Sequence, residues 1–425
     1  MTEIKLLYGS GSFQLDCSEF NILGFLKGQE NPAEKEKEIL IEESLQNLAD
    51  YVGSKSKVLI IASDITRKVG TEKFLPLVLR ELQNLSLSSG HLKVLFSTGL
   101  HRPQTQSEHR FLLGGYYGKI EAIDHDCDRD FVDFGSTSSG TEVKLNPLVD
   151  RADMIILTGG INFHYFAGFT GGRKALFPGI ATRDSILQNH KLIFSQNSIG
   201  FHPQVKPGQL EGNPVAEDLQ EAADIVSRKR RFYLFNTILN STGKICKIFS
   251  GDYHNEFLLA CRFFKEKNSV RINRKAELVI ASAGGFPYDT NLIQSHKALY
   301  HAYQALKEGG SLILLAECSD GITEKGEETD RRFLEYFDLT LEQMDESFRQ
   351  KFDPNCNTAY SIAEKASRSR IILVGRLNPE AVKKTGLMPA SSLPEALKIS
   401  AGQSSSENPD TYIMENAATI LPVLE

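Results

Sequence analysis

Residues 57–64 read KVLIIASD, a run of apolar, mostly branched side chains that stops at a serine and an aspartate. Similar runs recur at Leu92–Gly99 and Asp153–Gly160, and helical spacing of apolar residues lies between them, as at Glu72–Leu85. Short continuous apolar runs are typical of strands buried on both faces of a parallel sheet that helices cover. The pattern predicts an α/β fold with Rossmann-like parallel sheets.

A second series of strand and helix patterns follows a polar, basic stretch at Lys267–Lys275. Its predicted strands are Ala276–Ala283, Ser311–Ala316 and Arg370–Gly375. We therefore predict two domains, because a chain of this length exceeds what one hydrophobic core usually supports. The predicted C-terminal α/β domain spans residues 276–408.

The predicted N-terminal domain is the larger of the two and spans residues 1–266. Residues 231–251 have the pattern of a β-hairpin, which we expect to be added to its parallel sheet. The last residues, 411–425, include an apolar stretch, and we expect this segment to pack back onto the N-terminal domain.

The composition argues against several classes of protein. Apolar residues make up 41% and charged residues 24% of the chain, as in folded soluble proteins. The net charge of -6 comes without a long basic run, so we expect no nucleic-acid partner. No apolar run approaches the roughly 20 residues that cross a bilayer, and the first residues lack a signal-peptide pattern. We expect a cytoplasmic protein with no membrane contact.

The cysteines give no sign of a structural cross-link or a zinc site. Six cysteines are scattered along the chain without a CxxC pair. This spacing argues against a disulfide framework and against cysteine-bound zinc. Reduced, mostly packed thiols are therefore expected.

The polar residues after the first two predicted strands are candidate site residues, because ligands collect at the carboxyl ends of parallel strands. Ser63, Asp64 and Thr66 are suited to hold a ribose, although helix capping alone also explains them. Arg67 offers a fork that fits a carboxylate or a phosphate. His101 follows the second strand, and this position favours proton transfer over packing in the core.

The third strand end carries the most information. Residues 159–180 read GGINFHYFAGFTGGRKALFPGI and hold six glycines. Backbone amides around Gly171 and Gly172, beside Arg173 and Lys174, would close around an anion such as a phosphate. The spacing is not that of a P-loop, and a tight turn between strand and helix is the alternative interpretation.

Two histidines flank this glycine-rich loop. His164 lies near its start, and His190 lies on a helix predicted over Asp184–Ile193. An imidazole on such a helix is more often packed than bound to a metal, and no second histidine stands three or four residues away. A metal site made by the protein alone is therefore not expected.

The second predicted domain has its own polar motif. Residues 284–297 read GGFPYDTNLIQSHK, a glycine turn that closes a strand and opens a helix. Gln294 and Lys297 stand three residues apart and so share one helical face. Both side chains are suited to bind one ligand. The alternative, equally compatible with the sequence, is that they are solvent-exposed polar residues at the start of a helix.

Together these motifs resemble the nickel-dependent lactate racemase family, the 2-hydroxyacid racemases and epimerases that use a nickel-pincer nucleotide. The resemblance rests on SDITR, GLHRP, HYFAGFTGGRK, FPGIA, the Gln-Asn-His of residues 188–190 and GGFPYDTNLIQSHK. The spacing from His164 to Lys174 to His190 also looks like that of the family. The resemblance implies an isomerase that racemises or epimerises a small 2-hydroxy acid.

The resemblance also implies a role for each candidate residue. Lys174 would carry the covalently attached nickel-pincer nucleotide, a pyridinium bisthiocarboxylic acid mononucleotide, and His190 would ligate its nickel. His101 and His164 would be the two catalytic acid/bases. The residues implied to bind the substrate are Arg67, Gln294 and Lys297. Those implied to bind the nucleotide are Ser63, Asp64, Thr66, Gly171, Gly172 and Arg173.

Two residues depart from the family pattern. Lys68 and Phe163 stand where the family usually or often has proline. Because both are next to residues with implied roles, the resemblance leaves lactate and larger hydroxy or sugar acids open as substrates. It also implies cofactor-biosynthesis enzymes as partners in the cell, and a homodimer is an open expectation.

Two other functions are weighed against this one. An NAD-type 2-hydroxyacid oxidoreductase would share the α/β layout and the hydride chemistry, but the GxG of Gly9–Gly11 lacks the third glycine of a dinucleotide fingerprint. A non-catalytic protein that binds a nucleotide or a hydroxy acid is the other alternative. The presence of both candidate acid/bases together with Lys174 and His190 counts against it.

Overall fold

The computed structural model describes residues 3–29, 37–240, 243–323, 326–402 and 408–425. The chain divides into two compact units. The terminal unit, which contains both ends of the chain, comprises Met1–Gln29, Phe194–Phe201 and Lys267–Glu425. The central unit comprises Glu30–Ile193 and His202–Glu266.

Strands and helices are numbered in chain order. The strands are β1 (Glu3–Tyr8), β2 (Gly11–Asp16), β3 (Asn21–Leu26), β4 (Val58–Ala62), β5 (Leu92–Phe96), β6 (Glu121–Asp124), β7 (Val132–Ser136), β8 (Glu142–Leu145), β9 (Met154–Gly160), β10 (Phe163–His164), β11 (Gly168–Phe169), β12 (Arg231–Leu239), β13 (Ile245–Gly251), β14 (Ser269–Ile272), β15 (Ala276–Ser282), β16 (Leu306–Leu315), β17 (Arg370–Val374), β18 (Met388–Ala390), β19 (Asp410–Met414) and β20 (Leu421–Leu424). The α-helices are α1 (Lys37–Ser44), α2 (Thr71–Asn84), α3 (Gln106–Leu113), α4 (Leu148–Arg151), α5 (Arg183–Lys191), α6 (Pro214–Ser227), α7 (Asn255–Asn268), α8 (Leu292–Tyr303), α9 (Glu327–Glu335), α10 (Leu341–Gln350), α11 (Cys356–Arg368), α12 (Pro379–Lys384) and α13 (Leu393–Ala401). None of these helices has the length and apolar character needed to span a bilayer.

The central unit is built on a six-stranded sheet in the order β13-β12-β9-β4-β5-β6. Its strands pair in parallel, except that β13 runs antiparallel to β12 at the edge. Strand β4 is buried along its whole length, because helices such as α2 turn their apolar faces onto the sheet. The predicted parallel sheet with an added β-hairpin is confirmed, although the hairpin strand β12 is itself part of the parallel sheet.

The terminal unit has a second six-stranded sheet, in the order β18-β17-β16-β15-β19-β3, with all neighbours parallel. One hydrophobic cluster includes residues of α8 and α11, and another includes Leu6 and Leu15 of the β1–β2 hairpin. In that hairpin Tyr8 pairs with Gly11. The GxG of Gly9–Gly11 is therefore a hairpin turn, not part of a dinucleotide-binding loop.

Two predicted domain boundaries are wrong. Residues 1–29 belong to the terminal unit, because β3 pairs in parallel with β19 at the edge of that sheet. Residues 411–425 do not pack onto the N-terminal domain, since β19 lies between β15 and β3, and β20 pairs with β14. The side chains of Asn21 and Asp410 meet across 389 positions of sequence, and a pairing this distant leaves no local periodic signal.

Candidate active site

The first part of the site joins the ends of two neighbouring parallel strands. Asp64 follows β4 and His101 follows β5, and Asp64 Oδ2 lies 2.9 Å from His101 Nδ1. Arg67 Nη2 lies 3.1 Å from His101 Nε2. A carboxylate only accepts hydrogen bonds and a guanidinium only donates them. The neutral His101 ring therefore carries its proton on Nδ1 and its lone pair on Nε2.

The Asp64 carboxylate is almost completely buried, with 1% of its surface exposed. Its Oδ1 accepts hydrogen bonds from Thr66 N at 2.7 Å and from Thr66 Oγ1 at 2.5 Å. Burial by itself raises the pKa of the Asp64 carboxyl, but the hydrogen bonds and charges of His101 and Arg67 outweigh burial and hold it below its usual value. Asp64 and Thr66, predicted as nucleotide contacts, thus lie against His101, while Ser63 is buried beside them.

The second part of the site is arranged around the ring of Phe166. The ring centroid of His164 lies 4.4 Å from that of Phe166, and the centroid of His190 lies 4.9 Å from it. Lys174 Nζ lies 5.6 Å from the same centroid. Three residues that the sequence analysis singled out by their spacing are therefore neighbours in space.

His164 is held in the opposite way from His101. It lies on the short β10–β11 hairpin, and its Nδ1 accepts a hydrogen bond from the backbone N–H of Ala167, with 3.2 Å between the atoms. Because Nδ1 is an acceptor here, the neutral ring carries its proton on Nε2. The two candidate acid/bases thus present different chemistry at Nε2: His101 a lone pair, His164 a donor.

His190, on α5, has the properties of a metal ligand. Its Nδ1 lies 3.2 Å from the side-chain Oδ1 of Asn189, which only accepts hydrogen bonds, so Nδ1 carries the proton and Nε2 the lone pair. Burial, together with the charge of Lys174, lowers the pKa of His190 to about 3. The imidazole is therefore neutral near pH 7, which is the form that binds metals.

The glycine-rich loop is closed by bonds within the protein. The Gly172 N–H donates to Asn236 Oδ1 at 2.7 Å, and the Lys174 N–H donates to Gly171 O at 3.1 Å. Gly171 and Gly172 have φ angles of 77° and 54°, and a Cβ on Gly171 would lie 2.5 Å from Asn236 Oδ1. These glycines therefore permit close packing. The Gly172 and Lys174 amides are thus bonded within the protein, and the prediction that the loop's backbone amides close around an anion stays a prediction.

Buried donors beside this loop nevertheless fit an anionic ligand. Within the described residues, Asn236 Nδ2 and the Nε and Nη1 atoms of Arg173 have no hydrogen-bond partner. Arg173 is 2% exposed, with its guanidinium 4.5 Å from the centroid of the Phe257 ring. Burial lowers the pKa of Arg173 to about 10, which leaves it cationic at neutral pH. Unpaired buried donors are costly, and an anionic ligand group would satisfy them.

Asn236 and Asp218 were missed by the sequence analysis, although both left a signal. Asn236 interrupts an otherwise apolar stretch of β12. Asp218 stands on the buried face of α6, between Val215 and Leu219, where an apolar residue is expected. Each accepts a hydrogen bond from a residue far away in sequence: Asn236 from Gly172, and Asp218 from Asn189. The local sequence pattern could not identify these partners.

Gln294 and Lys297 lie on α8 of the terminal unit, whereas the other candidate site residues all belong to the central unit. Lys297 Nζ donates a hydrogen bond to Gln294 Oε1 at 2.6 Å. Asn291 caps the helix by accepting from Gln294 N at 2.9 Å. The prediction that Gln294 and Lys297 share one helical face is confirmed by their direct contact.

Comparison with known proteins gives matches over nearly the whole chain. The model of the lactate racemase N-terminal domain family matches residues 8–200, and that of the lactate racemase C-terminal domain family matches residues 272–421. A lactate racemase from Thermoanaerobacterium thermosaccharolyticum is 31% identical over 435 residues, covering 99% of both chains. A lactate racemase from Lactiplantibacillus plantarum is 30% identical over 416 residues, covering 94% of both chains.

Solved structures agree with these sequence matches. The lactate racemase apoprotein from T. thermosaccharolyticum superposes with a TM-score of 0.88 and 29% identity, over 99% of this chain and 100% of that chain. A protein from Thermotoga maritima superposes with a TM-score of 0.68 and 18% identity, over 93% of this chain and 100% of that chain. The second likeness concerns the fold alone.

Proposed function

The chain belongs to the lactate racemase family and is therefore an isomerase, and we propose that it interconverts the two enantiomers of a 2-hydroxy acid. Lactate is the first candidate substrate, and larger hydroxy acids and sugar acids are the others. The observation that carries the proposal is the grouping of His164, Lys174 and His190 around the Phe166 ring. Inversion of a carbinol centre calls for a proton-transfer group for each enantiomer, and His101 is the second such group in the central unit.

We propose that the cofactor is a nickel-pincer nucleotide attached covalently to Lys174, with His190 Nε2 as the protein ligand of its nickel. When bound, such a cofactor would supply a reversible hydride acceptor for the substrate carbon. The neutral state of His190 and the unpaired donors of Arg173 and Asn236 support this assignment. Cofactor-biosynthesis enzymes are then required partners in the cell.

His101 acts as a base through Nε2. Its Nδ1–H is committed to the Asp64 carboxylate, so the substrate hydroxyl transfers its proton to the lone pair on the other nitrogen. The imidazolium that forms is stabilised by Asp64, which stays ionised because its pKa is lowered. Arg67, whose guanidinium already contacts this ring, pairs with the substrate carboxylate.

His164 serves the opposite enantiomer, but it has to rearrange first. To accept a proton at Nε2, its ring must give up the hydrogen bond from Ala167 N–H and carry a proton on Nδ1 instead. His101 needs no change of tautomer, and only the hydrogen bond from Arg67 Nη2 to its Nε2 must be released. We infer that the two directions of the reaction differ in this proton rearrangement, although their kcat/KM values must agree because the equilibrium constant of a racemisation is one.

In this proposal the side chain of Phe163 does not line the substrate site and so does not change its size. Phe163 is 4% exposed and packs against Phe169 and Phe264, with ring centroids 5.6 and 5.0 Å away. Its departure from the family pattern is therefore a change in the core, and it gives no reason to exclude lactate. Gln294 and Lys297 are proposed as further substrate contacts on the strength of the family resemblance.

We also propose a cytoplasmic location. All six cysteines are free thiols, and five of them are buried. Unpaired cysteines are the usual state in a reducing compartment.

The proposed reaction is tested by chiral analysis of lactate and larger 2-hydroxy acids after incubation with protein produced together with the cofactor-building enzymes. Each enantiomer is expected to convert into the other. His101→Ala and His164→Ala should each abolish interconversion while the mass adduct at Lys174 remains. Full turnover by either variant would refute the two-base scheme.

A further inference from the structure

Behind His190 lies a chain of buried hydrogen bonds that the proposed reaction does not use. Asn189 Nδ2 donates to Asp218 Oδ2 at 2.8 Å, and Thr137 Oγ1 donates to Asp218 Oδ1 at 2.5 Å. Asn189 is fully buried, Asp218 is 2% exposed and Thr137 is 5% exposed. The chain therefore connects α6 and the end of β7 to α5, which carries His190.

The partners of Asn189 fix which way its amide points. Its Nδ2 faces two groups that only accept hydrogen bonds, Asp218 Oδ2 and the Val215 carbonyl oxygen, the latter at 3.3 Å. Its Oδ1 must then face His190 Nδ1, and an amide oxygen only accepts. If the Asn189 amide were flipped, its NH2 group would face His190 Nδ1, and Nδ1 could then no longer carry a proton. The orientation of Asn189 therefore determines the tautomer of His190.

Asp218 is an unusual residue to find at this place. A buried carboxylate is costly unless it is paired, and among the residues that the structure describes it forms no salt bridge. Its hydrogen bonds from Thr137 and Asn189 are what stabilise it. An amide or an apolar residue at this position would have a lower desolvation cost if the position served only the packing of α6.

We propose that Asn189, held by Asp218, is a positioning residue that keeps the proton of His190 on Nδ1 and the lone pair on Nε2 for a metal ion. The inference rests on the proposed function, in which His190 is the nickel ligand. Metal-binding imidazoles commonly donate their second ring N–H to a fixed acceptor, and loss of that acceptor typically weakens metal binding about 10- to 100-fold. Asn189 and Asp218 themselves touch neither substrate nor metal in this assignment.

Two variants separate this role from simple packing. Asn189→Leu removes the acceptor for His190 Nδ1–H at similar volume. The double exchange Asn189→Asp with Asp218→Asn reverses the donor and acceptor between the two side chains and keeps an oxygen facing His190, but it also sets a carboxylate oxygen against the Val215 carbonyl oxygen. Asp224→Asn is the matched control, because Asp224 also lies on α6 and accepts hydrogen bonds, from Gln220 at 2.9 Å and from Tyr253.

Two readouts are measured on the full chain. Nitrogen-15 NMR of histidine reports the tautomer of His190 in protein without cofactor. Nickel loss to a chelator is followed in protein that carries the Lys174 adduct. We expect Asn189→Leu to lose the Nδ1–H tautomer and to release nickel about 10- to 100-fold faster. The Asp224→Asn control should match the wild type in both readouts, and the double exchange should keep the Nδ1–H tautomer at the cost of a lower melting temperature, because its carboxylate faces the Val215 carbonyl oxygen.

The inference is overturned if Asn189→Leu keeps both the tautomer and the nickel, or if the folded double exchange loses the Nδ1–H tautomer as Asn189→Leu does. If Asn189→Leu does not fold, Asn189→Ser takes its place, since serine leaves a polar group near Asp218 but is too short to reach the ring. Wild-type protein with neither nickel nor adduct would refute the proposed function and with it the metal-binding purpose of Asn189. The tautomer measurement would still decide whether Asn189 orients His190.

Discussion

The Asp64 carboxylate accepts a hydrogen bond from Nδ1 of His101, with 2.9 Å between the two atoms. Asp64→Asn would place an amide of the same shape there, and its NH2 group would favour the tautomer with the proton on Nε2. That tautomer has no lone pair where the substrate hydroxyl is proposed to bind. We predict that kcat falls about 100-fold or more, by analogy with other aspartate–histidine pairs.

A second aspartate–histidine pair in the central unit provides the control for Asp64→Asn. His109 Nε2 lies 2.9 Å from Asp124 Oδ1, on α3 and β6, and Asp124 is linked to the backbone beside Asp64 through Gln104, which donates to Asp124 and accepts from Ile65 N–H. Asp124→Asn should leave kcat within about threefold of the wild type, because no step of the proposed reaction involves His109. Equal losses in the two variants would show that the effect of Asp64→Asn is structural.

The two acid/base histidines should be found in different tautomers. His101 donates from Nδ1 to Asp64, whereas His164 accepts at Nδ1 from Ala167 N–H. Nitrogen-15 NMR of selectively labelled protein, at a pH where both rings are neutral, should show Nδ1–H for His101 and Nε2–H for His164. Assignment follows from His101→Ala and His164→Ala. The same tautomer in both rings would contradict the proposed inequality of the two directions.

Asn236 should be required for the shape of the loop that carries Lys174. Asn236→Leu leaves the Gly172 N–H without its acceptor in the protein interior, and such a loss costs about 1–3 kcal/mol. We predict a lower melting temperature and a reduced yield of the Lys174 adduct. Asn236→Asp keeps the acceptor and should fold better than Asn236→Leu. A Leu variant with wild-type melting and adduct yield would remove Asn236 from the site.

Lys365 should make the stability of the protein depend on pH. It is 4% exposed, its Nζ lies 4.1 Å from the centroid of the Tyr300 ring, and burial lowers the pKa of its ammonium to about 8. Between pH 8 and the ordinary lysine value near pH 10.4, the unfolded chain binds more protons at this residue than the folded chain does. Its contribution to the free energy of unfolding therefore rises with pH in that interval, and the cost of the buried charge is greatest below pH 8.

The Lys365→Met variant tests this pH dependence. At pH 7 it should be more stable than the wild type by about 1–3 kcal/mol, because the cost of burying the ammonium exceeds its attraction to the partly exposed Glu364 carboxylate, 3.6 Å away. The advantage should shrink at pH 10, as seen in melting temperatures at both values. Lys383→Met, at an exposed lysine on α12, should change little at either pH. A constant difference between Lys365→Met and the wild type would contradict the account.

The parallel sheets and the main candidate residues could be predicted from the sequence, because their signals are local. The apolar run of β4 is continuous, and Lys174 and His190 stand at a characteristic spacing within one stretch. The pairing of β3 with β19 could not be predicted, since its two strands come from opposite ends of the chain. For the same reason, the sequence did not indicate that Asn236 accepts a hydrogen bond from Gly172 in the loop that carries Lys174.

The role of Gly171 and Gly172 could not be predicted from the sequence either. A glycine-rich loop beside two cations is compatible with an anion-binding site and also with close packing of the backbone. The hydrogen-bond partners of the loop's backbone N–H groups distinguish the two. The Gly172 N–H bonds to Asn236, so close packing is the better description at that residue. The buried Arg173, with donors that lack partners in the described part of the chain, is what points to an anion instead.

Native mass spectrometry of protein produced together with the cofactor-building enzymes tests the central claim most directly, because it reports the covalent adduct and the metal in one spectrum. We predict a mass increase that maps to Lys174, accompanied by about one nickel per chain. Lys174→Ala should show neither. Folded wild-type protein that carries no adduct and no nickel under these conditions would contradict the proposal that Lys174 and His190 together hold a nickel-pincer nucleotide.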